Sequence, residues 1–146
     1  MAAKFLTLLA LAAVVSQVTT IWLPDETTTH LTNPLIPKTI GIAKSFLDTL
    51  VACNVIFPNG VVYEGYPNDN LPATVYYLHA VQPFTACSIG FRNSAPSLSG
   101  TYELLSHVRH SADLSETLTR QRFHLTFQEI DPWHAKVEDQ SMPVNA

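Results

Sequence analysis

Glycine, cysteine and charge are all scarce in this chain. Its five glycines are scattered and build no Gly-rich phosphate loop. Lysine and arginine total eight against twelve acids, for a formal net charge of -4. They form none of the basic clusters that a nucleic-acid surface needs, and the acidic balance suits an anionic membrane poorly. Asn33, Asn54, Asn59, Asn68, Asn70 and Asn93 all fail the Asn-x-Ser/Thr pattern, so no N-linked glycan is expected there. No long amphipathic helical pattern alternates with the strand-like segments, which argues against a parallel α/β arrangement.

Only two cysteines occur, Cys53 and Cys87. Two are too few for a metal site, and no partner residue marks either as a catalytic thiol. In an oxidising compartment an even pair reads as one structural disulfide. Closing a loop of this length is worth about 2–4 kcal/mol.

What is present begins with Lys4 and the apolar run FLTLLALAAVV, ending near Ser16. A positive start, a short apolar centre and a polar boundary make a secretory signal peptide, with cleavage expected after Ser16. The alternative is a retained anchor, but the run falls short of the ~20 apolar residues that a span needs. The chain therefore divides into a signal peptide over 1–16, an extended Thr- and Pro-rich arm over 17–40, a β-domain over 41–134 and a flexible polar tail over 135–146. It is expected to be secreted and extracellular, with no stable membrane span after processing.

Within the domain, Val51, Cys53, Val55 and Phe57 alternate with Ala52, Asn54 and Ile56, and β-branching favours a strand. Pro58-Asn59-Gly60 then turns the chain into Val61-Val62-Tyr63, the best local hairpin signal. Further strands are expected over 74–81, through Thr85, Cys87, Ile89 and Phe91, through Tyr102, Leu104, Ser106 and Val108, and through Phe123, Leu125 and Phe127. Residues 41–50 read as a helical turn or the approach to a strand, and 109–119 as a long loop or short helix. Short strands with turn signals between them predict an all-β, antiparallel β-sandwich, with a small barrel as second choice. Tyr102, Leu104, Phe123, Leu125 and Phe127 are the expected core.

The segment Cys87-Ser-Ile89-Gly-Phe91-Arg-Asn followed by Ser99-Gly100-Thr101-Tyr102-Glu103-Leu104 resembles strands E and F of an immunoglobulin-like domain. Gly100 and Tyr102 match that family's Asp-x-Gly-x-Tyr-x-Cys pattern, while Leu98 takes the aspartate position and Leu104 the cysteine position. The resemblance implies that Tyr102 is the tyrosine-corner residue, that Cys53 lies on strand B and that Phe123–Ile130 forms strand G. The usual B–F disulfide cannot form without a thiol at Leu104, so Cys53 would bond to Cys87 on strand E. The family's strand C tryptophan is missing too; Tyr63 and Tyr66 are the nearest aromatics.

Signs of catalysis are thin. His107, His110 and Asp113 are spaced three apart, but the strand pattern of His107 argues against one helical face. Ser106, His107 and Asp113 make a triad on paper with no motif to support it. His79 reads as a half-buried strand residue and His124 as solvent-facing, with His30 in the arm and His134 after the last strand. No enzyme, cofactor or metal site is expected. The leading expectation is a secreted, non-catalytic binding module for an extracellular protein or glycan. A carrier of a small hydrophobic ligand and an enzyme on an unusual β-fold are the alternatives. Tyr63, Tyr66 and Tyr76 are the candidate binding residues, since tyrosine offers large contact area at low entropic cost. Trp22 reads as core packing or as a partner contact. Uncapped strand edges leave room for weak self-association.

Overall fold

A computed structural model describes residues 18–32, 35–78 and 86–129. The expected signal peptide and tail, together with His79 and His134, lie outside the described residues. Among the described residues nine strands run in the order β1 (Val18–Trp22), β2 (Glu26–Leu31), β3 (Thr39–Ile42), β4 (Thr49–Ile56), β5 (Val62–Tyr66), β6 (Val75–Tyr77), β7 (Cys87–Phe91), β8 (Gly100–Arg109) and β9 (Glu116–Gln128). One 3-10 turn, Pro96–Leu98, joins β7 to β8. Among the described residues no helix is long and apolar enough to cross a membrane.

The β4–β5 hairpin forms where the Asn-Gly signal predicts it. Gly60 takes a φ of 84°, and the Asn59 side-chain oxygen accepts the Val61 amide at 3.0 Å. This is the backbone freedom and the local hydrogen bond for which Gly and Asn recur in turns. On β9, Phe123, Leu125 and Phe127 are buried while Arg122, Thr126 and Gln128 are exposed, as strict alternation requires.

Two sheets result. The larger runs β1-β9-β8-β4-β5, with β2 also paired to β9; the smaller runs β3-β7-β6. Alternate residues of both sheets face one another and bury a shared core, which makes the molecule a β-sandwich. Its strand order matches that of a variable-type immunoglobulin fold, with β9, β8, β4 and β5 in the G, F, C and C′ places and β3, β7 and β6 in the B, E and D places.

That order corrects one implication of the resemblance. Cys53 is not on strand B. It lies on β4, between β8 and β5, at the strand C place. An additional short strand upstream, Thr39–Ile42, takes the B place and buries Ile40 and Ile42. Residues 41–50 hid it because its pattern is only four residues long. The disulfide Cys53–Cys87 is formed. It joins β4 to β7 and therefore crosses between the sheets. Leu104 stands fully buried at the position the family gives to cysteine.

Two other expectations change. Residues 18–31 are sheet strands, not an arm set apart from a domain beginning at 41. Both β1 and β2 pair parallel to the thirteen-residue β9, interrupted at Leu23-Pro24-Asp25. Thr-rich edge strands carry no apolar alternation, so the sequence pattern does not show them. The stretch 109–119 is strand at both ends, since β8 reaches Arg109 and β9 begins at Glu116. These two residues face each other across the ladder, and Arg109 donates to the Glu116 carboxylate at 3.1 Å. Opposite charges in that relation stabilise an antiparallel pair.

Tyr102, Leu104, Phe123, Leu125 and Phe127 are all buried. Ring contacts run from Phe57 to Tyr102, Phe91 and Phe127, with successive centroids 5.1, 5.2 and 5.1 Å apart. The Tyr102 hydroxyl donates to the Leu98 carbonyl at 2.6 Å, which is the bond of a tyrosine corner.

Candidate interaction surface

The β3–β4 loop has the sequence Ala43-Lys-Ser-Phe-Leu-Asp48. The Asp48 amide donates to the Ser45 carbonyl at 3.1 Å, closing a tight turn. Lys44 Nζ caps it by donating to the Ser45 and Asp48 carbonyls at 3.1 and 2.9 Å. With its polar groups bonded inward, the turn directs Phe46 and Leu47 outward; they are 54% and 64% exposed.

The β8–β9 loop is built the same way. The His110 amide donates to the Ser115 carbonyl at 2.8 Å, and the Leu114 amide to the His110 carbonyl at 2.9 Å. Asp113 Oδ1 accepts both the Ser115 amide and its hydroxyl, at 3.0 and 2.6 Å. Those bonds hold the Asp113 carboxyl below its usual range. Leu114 is left at φ 58° and 71% exposed. A branched leucine in the left-handed region is uncommon and costs free energy.

Asp48 ties the two loops together. Its Oδ2 lies 2.9 Å from His110 Nδ1, and its Oδ1 accepts the Ser111 amide at 3.1 Å. His110 Nε2 is 2.6 Å from the Thr117 hydroxyl on β9. A carboxylate only accepts, so the Nδ1–Asp48 bond is donated by the imidazole. The His110 bond, followed by the Ser111 amide, holds the Asp48 carboxyl below its usual range. One end of the sandwich thus presents three exposed apolar side chains on two loops that share a hydrogen-bonded brace.

Thr117, His110 and Asp48 have the order of a nucleophile, a base and an orienting acid. Here the three side chains brace the two loops against β9. Thr117 lies in β9 between Thr19 of β1 and Val108 of β8, where ladder pairing commits its backbone on both sides. The paper triad of Ser106, His107 and Asp113 does not assemble. Ser106 faces the core, His107 sits 3.3 Å from Glu116, and Asp113 is bonded to Ser115. Arg109, then His107, hold the Glu116 carboxyl below its usual range. Among the described residues no three His, Cys, Asp or Glu side chains converge as metal ligands. His30 packs edge-on against Phe127 at 6.0 Å, and His124 bonds Asp25 and Thr101, each at 2.8 Å.

The three candidate tyrosines do not share a surface. Tyr63 is in register with buried Val55 and packs on Phe57 at 4.8 Å. Tyr66 is opposite Cys53 and packs on Tyr77 at 5.8 Å. Both therefore face between the sheets. Tyr76 is on the outer side of the smaller sheet, where its ring lies over Gly90 and against Arg92. A Cβ on Gly90 would meet that ring, so the glycine permits the close approach. Trp22 is not in the core. It stands half-exposed on the outer face of the larger sheet.

No protein-family model and no curated protein matches the sequence. Solved structures that align with this chain include the Ig-like domain of human leucine-rich repeat-containing protein 4, at 11% identity and TM-score 0.39, covering 74% of this chain and 85% of that one. Tim-2 aligns at 10% identity and TM-score 0.48, covering 73% of this chain and 96% of its own. Tim-1 aligns at 13% identity and TM-score 0.46, covering 78% and 97% respectively.

Proposed function

We propose that this chain is a secreted, non-catalytic recognition domain that binds an extracellular protein through the loop end of the sandwich. The observation that carries the proposal is the trio Phe46, Leu47 and Leu114, exposed on two loops that Asp48 joins. Exposed apolar side chains on a fixed scaffold lose little conformational entropy on binding, so their burial goes into affinity. Loops carry recognition in sandwiches of this strand order. The sheet-crossing disulfide supports an oxidising compartment, as does the signal-like start of the chain.

The test is a binding screen of the full secreted chain against a panel of extracellular proteins, run beside the Leu47→Ser/Leu114→Ser double variant. Both side chains are largely exposed, so the variant is expected to keep the melting temperature of the parent. Hits of the parent should weaken by about 30-fold or more in the variant, as for an interface hot spot of ~2 kcal/mol. Hits that bind the variant equally well contradict the proposal.

A further inference from the structure

The outer face of the larger sheet holds a feature remote in kind from the apolar loop tips. Trp22 on edge strand β1 is in register with Arg120 of β9. Arg120 and Arg122 project from the same side of β9, because alternate strand residues share a face. Their guanidinium carbons lie 4.5 and 4.9 Å from the indole centroid of Trp22. Each contact is within cation–π range, so the two arginines hold the indole against the sheet.

The charges beneath are unequal. Glu103 of β8, directly opposite Arg122, is nearly buried and accepts from Arg120 at 2.7 Å. Its other oxygen is 3.6 Å from Arg122 Nε, beyond hydrogen-bonding distance. Two guanidinium groups therefore share one carboxylate, and Arg120 takes the short bond. Arg122 is 51% exposed and holds Glu103 through this longer ion pair. Asp25, the acid on the β1–β2 connector, faces His124 at 2.8 Å. What remains is a half-exposed indole beside a half-exposed guanidinium, with one carboxylate shared between two arginines beneath them.

A guanidinium fork matches a carboxylate through two parallel hydrogen bonds. An indole face takes a flat apolar surface, such as the C–H face of a pyranose ring. A sugar acid carries both in one rigid unit, with the carboxylate held a few ångströms from the ring face. An acidic peptide side chain offers the carboxylate alone, on a flexible stem. The fixed spacing of Trp22 and Arg122 favours the rigid ligand. We infer that Trp22 and Arg122 form a subsite for a carboxylate-bearing sugar at the end of, or within, an extracellular glycan. Trp22 takes the ring face and Arg122 the carboxylate. Arg120 and Glu103 position them. The subsite is independent of the loop-tip proposal.

The test is titration of the full secreted chain with three probes: 3′-sialyllactose, a hyaluronan tetrasaccharide and neutral lactose. At least one acidic probe should bind in the millimolar range or tighter, and lactose should bind about tenfold or more weakly. Preference for 3′-sialyllactose assigns a sialic acid, and preference for hyaluronan a uronic acid. Arg122→Gln, which removes the fork from an exposed position, and Trp22→Ala, which removes the platform, should each weaken the preferred probe by about tenfold or more. Arg122→Lys should weaken it too, because a point charge does not replace the fork. Equal binding of acidic and neutral probes, or full affinity in a folded Arg122→Gln variant, would overturn the inference. Equal binding of a free glutamate-containing peptide would overturn the assignment to a sugar.

Discussion

Asp48 and His110 are 62 positions apart in sequence and 2.9 Å apart in the fold. They join the β3–β4 loop to the β8–β9 loop, and Thr117 anchors the far side of the imidazole. Replacing His110 by Ala removes both side-chain bonds and leaves Asp48 with the Ser111 amide. The expected cost is about 1–3 kcal/mol in chemical denaturation, with amide exchange at Ser111 and Leu114 accelerated well beyond that of the β4–β8 ladder. Unchanged exchange at both amides would show that the loops hold their form without the brace.

The cysteine pair crosses the sandwich between two strands that share no ladder. Both residues are almost completely buried, so the double Ala variant loses packing as well as the covalent link. Its unfolding free energy should fall by about 2–5 kcal/mol relative to the oxidised parent. Mass spectrometry under non-reducing conditions gives the accompanying check: one Cys53–Cys87 peptide and no free thiol. Leu104→Ala should cost about 2–5 kcal/mol by the separate route of cavity formation.

Burial pushes the Tyr102 phenol up to about 12. Tyr77 is pushed up to about 12 by burial and then by Tyr66 nearby. A raised phenol value means that the fold favours the neutral form. That contribution to stability is complete below pH ~10 and disappears as pH climbs toward ~12. An absorbance titration of the phenolates should show Tyr77 and Tyr102 ionising late, together with loss of the fold. Tyr102→Phe should remove one late titration, leave the Leu98 carbonyl unpaired and cost about 1 kcal/mol.

Much of this architecture can be read locally. The period-two pattern at Phe123, Leu125 and Phe127 places the core face of β9, and Asn59-Gly60 sets the β4–β5 turn. Gly100-Thr-Tyr102 marks the tyrosine corner because one side chain bonds the backbone four residues upstream. Other features leave no local trace. The strand Glu-Thr-Thr-Thr-His-Leu over 26–31 lies at a sheet edge, where little apolar surface is required. The first half of β9, Glu-Thr-Leu-Thr-Arg-Gln-Arg, is largely polar because its outer side carries the Trp22 platform and the ion pairs. Asp48 looks like an ordinary loop acid until the fold brings His110 to it. The tyrosines mislead for a related reason: aromatic density shows that rings pack, and only the register shows that Tyr63 and Tyr66 turn inward.

The loop-end proposal is tested most directly by photo-crosslinking to a purified partner from the binding screen. A benzophenone side chain is placed at position 114, on the loop tip, or at position 62, on exposed Val62 at the start of β5, in chains of equal melting temperature. The account predicts a covalent adduct from position 114 and little or none from position 62. An adduct from position 62 with none from position 114 would contradict it.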